Sequence, residues 1–246
     1  MISLRITLAT VARVLTQIRH DKRTVALILL VPSAFLALLR YIFGDRVDIF
    51  DQIGLMLLGI FPFTAMFFIT SVAMLRERVS GTLERLLSTP THKADLLFGY
   101  GIAFALLATV QATVACSVAY GVLGLQSQGS FGMVILIAIS TAVVGSSTGL
   151  LTSAFARTEF QALQFGPAVI VPQILLCGLI WPRDQMAKPL QVASDLLPLR
   201  WAADAMGEVG TFPMPTTELW RDLVVIAAFT IALLLAATAT LRRRTA

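Results

Sequence analysis

Long apolar runs, each closed off by a short cluster of charged residues, recur along this chain. A helix that crosses the roughly 30 Å hydrocarbon core of a bilayer needs about 20 mostly apolar residues, each rising about 1.5 Å. Six runs meet or approach that length, at residues 25–43, 53–74, 96–123, 131–155, 165–180 and 223–241. The fifth is the shortest, and Pro167 and Pro172 interrupt it. The pattern predicts an all-α polytopic membrane protein, with six transmembrane helices in one transmembrane domain over residues 1–246.

Ahead of the first run the period changes. Leu4, Leu8, Val11, Leu15 and Ile18 recur at spacings of three and four, which puts them on one face of a helix. Arg5, Arg13 and Arg19 fall off that face. Residues 1–24 are therefore expected to form an amphipathic interfacial helix, its apolar side in the headgroup layer and its arginines toward anionic membrane lipids. The first run lacks a small-residue cleavage site and five more runs follow it, so it reads as a retained span.

Composition supports this. Hydrophobic residues make up 57% and charged residues 13%, with a mean hydropathy of +0.83. A soluble domain carries about 25% charged residues, so a soluble enzyme and a disordered chain are both excluded. The net charge of +5 does not mark a nucleic-acid binder, because the basic residues are scattered among apolar spans and form no stripe. Their distribution gives direction instead. Arg5, Arg13, Arg19, Lys22, Arg23, Arg76, Arg78, Arg85, Lys93, Arg157 and Arg242 to Arg244 fall on one side, while most acidic residues fall on the other. By the positive-inside rule the first side is cytoplasmic, with both termini inside a multi-pass cell-membrane protein. Cys116 and Cys177 lie in apolar runs and read as buried thiols.

The most informative segment is the predicted cytoplasmic loop at 75–95. From Thr82 to Pro90 it reads as a short helix with Leu83, Leu86 and Leu87 on one side and Glu84 and Arg85 among its polar positions. A leucine stripe at the membrane surface needs a cover. Acidic and basic residues mixed around the leucines favour a protein groove over lipid, since a membrane-seeking helix is mainly basic.

The run Arg76 to Pro90 resembles the cytoplasmic loop of the type 2 ABC exporter permeases, where a similar Gly-Thr-Leu-Glu stretch follows the second span. A second match is Leu176-Cys177-Gly178-Leu179-Ile180-Trp181-Pro182 followed by Leu196-Leu197-Pro198-Leu199. It is similar to that family's outer segment between the fifth and sixth spans. The two motifs stand in the family's order, and the resemblance covers nearly the whole chain. It implies a membrane half-transporter that pairs with a second copy or a related permease chain. A separate ATP-binding subunit would dock on each half, holding the ATP and Mg, so this chain would bind no cofactor and catalyse nothing by itself. In the family the loop helix couples the ATPase to the spans. Carried onto this sequence, Glu77, Arg78, Gly81, Thr82, Leu83, Glu84, Arg85 and Leu86 form the contact region. The resemblance further implies that 181–220 is a partly re-entrant outer segment, and that the second and fifth spans border the substrate path.

Candidates for that path are Phe61, Phe63, Phe67 and Phe68 on the second span, with Gln173 and Leu176 on the fifth. An aromatic cavity with few charges suits an amphipathic drug-like molecule, a lipid or a lipid-linked glycan. Gln111 and Gln173 could equally be interhelical hydrogen-bonding residues. Other motifs carry no chemistry. None of Lys22, Lys93 and Lys188 sits in a phosphate-cradling loop. Gly145-Ser146-Ser147-Thr148-Gly149 matches a serine-hydrolase elbow in letters only, because it lies in a span without a histidine near it. The spacing of Gly145 and Gly149 favours close helix packing. The outer carboxylates match no metal-binding loop. Two rival readings remain open here: an ion-coupled secondary transporter, which would need mid-membrane ionisable residues that are scarce in these spans, and a non-transporting membrane scaffold.

Overall fold

The computed structural model describes residues 4–81 and 93–240, and every regular element among them is helical. In chain order these are α1 (Leu4–His20), α2 (Lys22–Phe43), α3 (Val47–Val79), α4 (Lys93–Gly121), α5 (Phe131–Thr152), α6 (Glu159–Leu176), α7 (Lys188–Asp195), α8 (Pro198–Thr211) and α9 (Thr217–Thr240). The helices α2, α3, α5 and α9, and α4 from Phe98 onward, are long and apolar enough to cross a membrane.

These helices begin and end where local chemistry dictates. The Asp21 carboxylate accepts from the Thr24 amide at 3.1 Å and the Thr24 hydroxyl at 2.7 Å, which caps α2. The same Thr24 hydrogen bonds hold that carboxyl below its ordinary pKa. Ser130 and Thr158 cap α5 and α6 in the same way, accepting from Met133 and Gln161. Because such polar first turns belong to the helix, α2, α3 and α9 start before the apolar runs that announced them. The charged residues Arg76, Glu77 and Arg78 do not break α3, which carries on through the first part of the expected loop 75–95 and stops only at Gly81, with its φ of 69°.

The expected fifth span at 165–180 is displaced. It is α6, which opens at Glu159 and closes at Leu176, just before Gly178 takes a φ of 97°. Beyond it, Pro182, Pro189 and Pro198 divide the chain into a short 3-10 turn at Arg183–Gln185, then α7 and α8.

The central element is α3. Phe50, Leu58, Phe63, Met66 and Phe67 along it are fully buried, and α2, α4, α5, α6 and α8 all pack on it. Its tightest partner is α5. A Cβ at Gly145 would lie 2.3 Å from the Phe63 carbonyl oxygen, and one at Gly149 would lie 2.4 Å from that of Phe67. Ser71 Oγ donates to the Gly149 carbonyl at 3.2 Å across the same seam. Two backbones can approach this closely only over glycine. On the outside of the bundle α9 covers α5 and α8, and α1 lies against α4.

α1 docks on α4 through its smaller residues. Thr7, Thr10, Val11 and Val14 are buried, whereas Leu4 and Leu8 are exposed. Small side chains let α1 come close to α4, where a Cβ on Gly99 would lie 2.6 Å from Thr10 Cβ. The larger leucines are left on the outward side.

Candidate functional site

The end of the bundle that holds α1 is also where the chain leaves α3 for residues 82–92. Thr82, Leu83, Glu84, Arg85 and Leu86, the heart of the expected contact region, lie outside the described residues. Of the other three, Gly81 ends α3, and its amide donates to the Arg78 carbonyl at 3.3 Å. Arg78 is half-buried. Glu77 is 6% exposed and points inward.

Glu77 meets Arg13, which in turn reaches Tyr100. Arg13 Nη1 donates to Glu77 Oε1 at 2.9 Å, and Arg13 Nη2 donates to the Tyr100 hydroxyl. The guanidinium also stands over the Tyr100 ring, 5.6 Å from its centroid. Arg13, expected to face lipid headgroups, thus ties α1 to α3 and α4 together. Burial opposes its charge, but the Tyr100 and Glu77 oxygens outweigh that and raise its pKa above the ordinary value. Nearby, Arg76 makes a two-armed pair with Glu159, at 2.8 and 3.1 Å, that joins α3 to the first turn of α6. Between α1, α3 and α4 lies a mainly apolar cleft of about 140 Å³, bordered by Val14, Ile18, Ala73, Glu77 and Phe104. The available signal was the carboxylate itself, since a Glu at the end of a membrane helix implies a cationic partner. Nothing in the spacing said that the partner lay in α1.

The expected path residues separate into two groups. Phe63 and Phe67 are fully buried between α3 and α5, so they build the core and face no opening within this chain. Gln173 is 3% exposed. Its Nε2 donates to the Val169 carbonyl at 3.1 Å, and its Oε1 accepts from the Leu199 amide at 3.3 Å. It holds the first turn of α8 against α6, which is the interhelical alternative. Phe61, Phe68 and Leu176 stay partly open. Phe61 meets Phe35 of α2 edge-on, with ring centroids 5.0 Å apart. Phe68 covers Gly166 of α6. In the run from Gly145 to Gly149, Ser146 and Ser147 donate to the Val143 carbonyl, which leaves no arrangement for nucleophilic chemistry.

The opposite end carries a second polar cluster. Arg200, 8% exposed by its side chain, lies 3.2 Å from Asp204 and 3.5 Å from Asp195, and stacks on Trp201 at 3.7 Å. Arg183 also pairs with Asp195. Burial raises the Asp204 pKa, an effect that Arg200, Arg183 and Arg221 only partly offset. This network locks α7 to α8, and Arg221 at the start of α9 stands 5.7 Å from the Trp201 ring centroid. Among the described residues no three His, Cys, Asp or Glu side chains converge to hold a metal ion.

Comparison with known sequences places these features in context. Residues 6–209 match the profile of the family described as ABC-2 type transporter. The chain is 29% identical over 178 residues to ABC transporter G family member 20 of Dictyostelium discoideum, covering 72% of this chain and 24% of that protein. It is 26% identical over 176 residues to the probable multidrug ABC transporter permease YbhR of Escherichia coli, covering 72% and 48%. It is 25% identical over 157 residues to the linearmycin resistance permease protein LnrN of Bacillus subtilis, covering 63% and 40%. The chain thus spans about half or less of the length of these relatives.

Proposed function

The chain belongs to the ABC-2 type transporter family, and we propose that it is the membrane permease subunit of an ATP-driven exporter, energised by a separate ATP-binding subunit. The observation that carries this reading is the course of α3. Its 33 residues, about 50 Å of helix at about 1.5 Å per residue, run through the centre of the core without a break. They end at Val79, just before Gly81 and the leucine-bearing stretch 82–90 of the sequence. A push on that segment reaches buried side chains directly. The strap from Arg13 to Glu77 and Tyr100 makes α1 and α4 follow α3, so three helices respond as one.

In this reading Thr82, Leu83, Glu84, Arg85 and Leu86 contact the ATP-binding subunit, the α1 end is cytoplasmic, and both termini are inside. The α6 helix is the fifth of six spans, and 181–220 is a re-entrant outer segment. Two such chains pair. Val171 and Leu175, exposed on α6, then face the path or the second chain, with Phe61, Phe68 and Leu176 at its margin. The cargo is an amphipathic drug-like molecule, a lipid or a lipid-linked glycan. The names of two relatives, a multidrug permease and a linearmycin resistance permease, accord with the first of these.

The test is co-purification with the ATP-binding subunit and measurement of cargo-stimulated ATP hydrolysis. Burying a leucine is worth about 1.5–3 kcal/mol, so Leu83→Ala or Leu86→Ala should weaken docking by roughly tenfold or more. Glu84→Lys should leave the chain inserted but uncouple hydrolysis from transport. Wild-type docking and coupled turnover in all three variants would rule out this contact region.

A further inference from the structure

At the α1 end the charges do not balance. Among the described residues there, Asp21, Glu77 and Glu159 each have a partner. Asp21 accepts from the Thr24 amide and hydroxyl, Glu77 from Arg13, and Glu159 from Arg76. Arg19, Lys22 and Arg23 are left over. All three are exposed where α1 passes into α2, and none pairs with an acid among the described residues. One and two turns further along α2, Leu27, Leu30 and Val31 are exposed as well. A cationic turn therefore adjoins an apolar surface, on a helix long and apolar enough to cross a bilayer.

The same turn borders the cleft between α1, α3 and α4, through Asp21 and Thr24, which flank Lys22 and Arg23. The walls of the cleft are apolar, formed by Ile18, Ile69, Val72, Ala73 and Phe104. At about 140 Å³ it is well below the roughly 300 Å³ at which sites for drug-sized ligands begin. Its size and walls suit one alkyl chain. Three unpaired cations call for a negative head, and the cleft calls for a chain. An anionic phospholipid carries both on one molecule. A soluble anion has no part that would use the cleft, and a phospholipid without net charge leaves the cations unanswered.

We propose that an anionic phospholipid binds at the α1–α2 turn, its headgroup on Arg19, Lys22 and Arg23 and one acyl chain in the cleft between α1 and α3. Glu77, which Arg13 ties to α1, borders that cleft, so the chain lies beside the strap. Binding needs neither the ATP-binding subunit nor a cargo, and it stands apart from the exporter reading. The test is native mass spectrometry of the delipidated full chain in detergent. The chain is titrated with dioleoyl phosphatidylglycerol or with dioleoyl phosphatidylcholine, which has the same chains and no net charge. The first phosphatidylglycerol should be retained at least about tenfold more tightly. The triple variant Arg19→Gln, Lys22→Gln, Arg23→Gln should lose that preference. Neutralising two exposed cations at the other end, with Arg46→Gln and Lys188→Gln, should leave it intact. Ala73→Phe fills the cleft without touching a charge, and by excluding two or more methylenes it should lower phosphatidylglycerol retention about tenfold. Glycerol 3-phosphate, a head without a chain, should not displace the lipid. Equal retention of the two lipids, a preference that survives in the triple variant, or an equal loss in the control pair would each overturn the proposal. So would wild-type retention in a folded Ala73→Phe, or displacement by glycerol 3-phosphate. The triple variant alters exposed side chains alone, so the test stands even where Ala73→Phe does not fold.

Discussion

Glu77 and Asp222 stand at opposite ends of the bundle, both almost wholly buried and each paired with one arginine. They differ in where that arginine comes from. Arg13 is 64 residues from Glu77 and belongs to another helix, so the pair fastens α1 to α3. Arg221 is the residue next to Asp222, so that pair fastens no second helix; one oxygen of each carboxylate, Glu77 Oε2 and Asp222 Oδ2, is buried without a hydrogen-bond partner. Burying a charge is costly in both cases. At the α1 end the pairing joins two helices and yields a mechanical link. At the other end it stays between neighbours on α9 and yields none.

Matched amide substitutions sharpen that contrast and should give the largest effect. Glu77→Gln keeps the shape of the side chain but removes the charge that Arg13 needs. With Arg13 about a third exposed by its side chain and Glu77 7% exposed, the loss should be about 1.5–3 kcal/mol. It should appear as proteolytic release of α1 near the α1–α2 junction. Asp222→Asn should change thermal stability by less than about 1 kcal/mol, because the half-exposed Arg221 can turn to water. If the two variants were equally destabilised, the two ends would not differ in the way described.

A smaller effect belongs to Gln173. Removing its side chain by Gln173→Ala leaves the buried Leu199 amide without its acceptor, at a cost of about 1–2 kcal/mol. Hydrogen exchange should quicken at the first turn of α8 while the α1 end keeps its protection. Faster exchange at both ends would mean that they are coupled through the core more tightly than the local contacts imply.

The division between the two ends also explains how much could be read beforehand. Helical class and the long apolar segments were legible because a bilayer fixes both the length and the composition of what crosses it. The same criterion failed at α6. Glu159, Gln161 and Gln164 in its first turns lower its hydropathy, yet Thr158 caps it and the helix forms. Gly145 and Gly149 announce a close approach by their spacing, but not that the approaching backbone is that of Phe63 and Phe67. By sequence Phe61, Phe63, Phe67 and Phe68 suit a cavity and a core equally well, and only burial separates Phe63 and Phe67 from the other two. Arg13 with Glu77, and Gln173 with Leu199, are single long-range pairs with no periodicity to announce them.

The smallest effect separates a strap from a surface contact at the α1 end itself. Arg76 and Glu159 meet with two hydrogen bonds, a geometry as good as that of Arg13 and Glu77, but their side chains are 56% and 52% exposed. In water-accessible surroundings such a pair contributes about 0–1 kcal/mol and is screened by salt. Arg76→Ala should therefore lower thermal stability by less than about 1 kcal/mol, and the difference from wild type should vanish between about 50 mM and 0.5 M salt. The loss in Glu77→Gln should largely persist at high salt, because the Glu77 side chain is only 7% exposed and a partly buried pair is screened much less. A salt-independent loss in Arg76→Ala as large as that of Glu77→Gln would show that α6 is held to α3 by this pair, and that the strap at the α1 end embraces four helices rather than three.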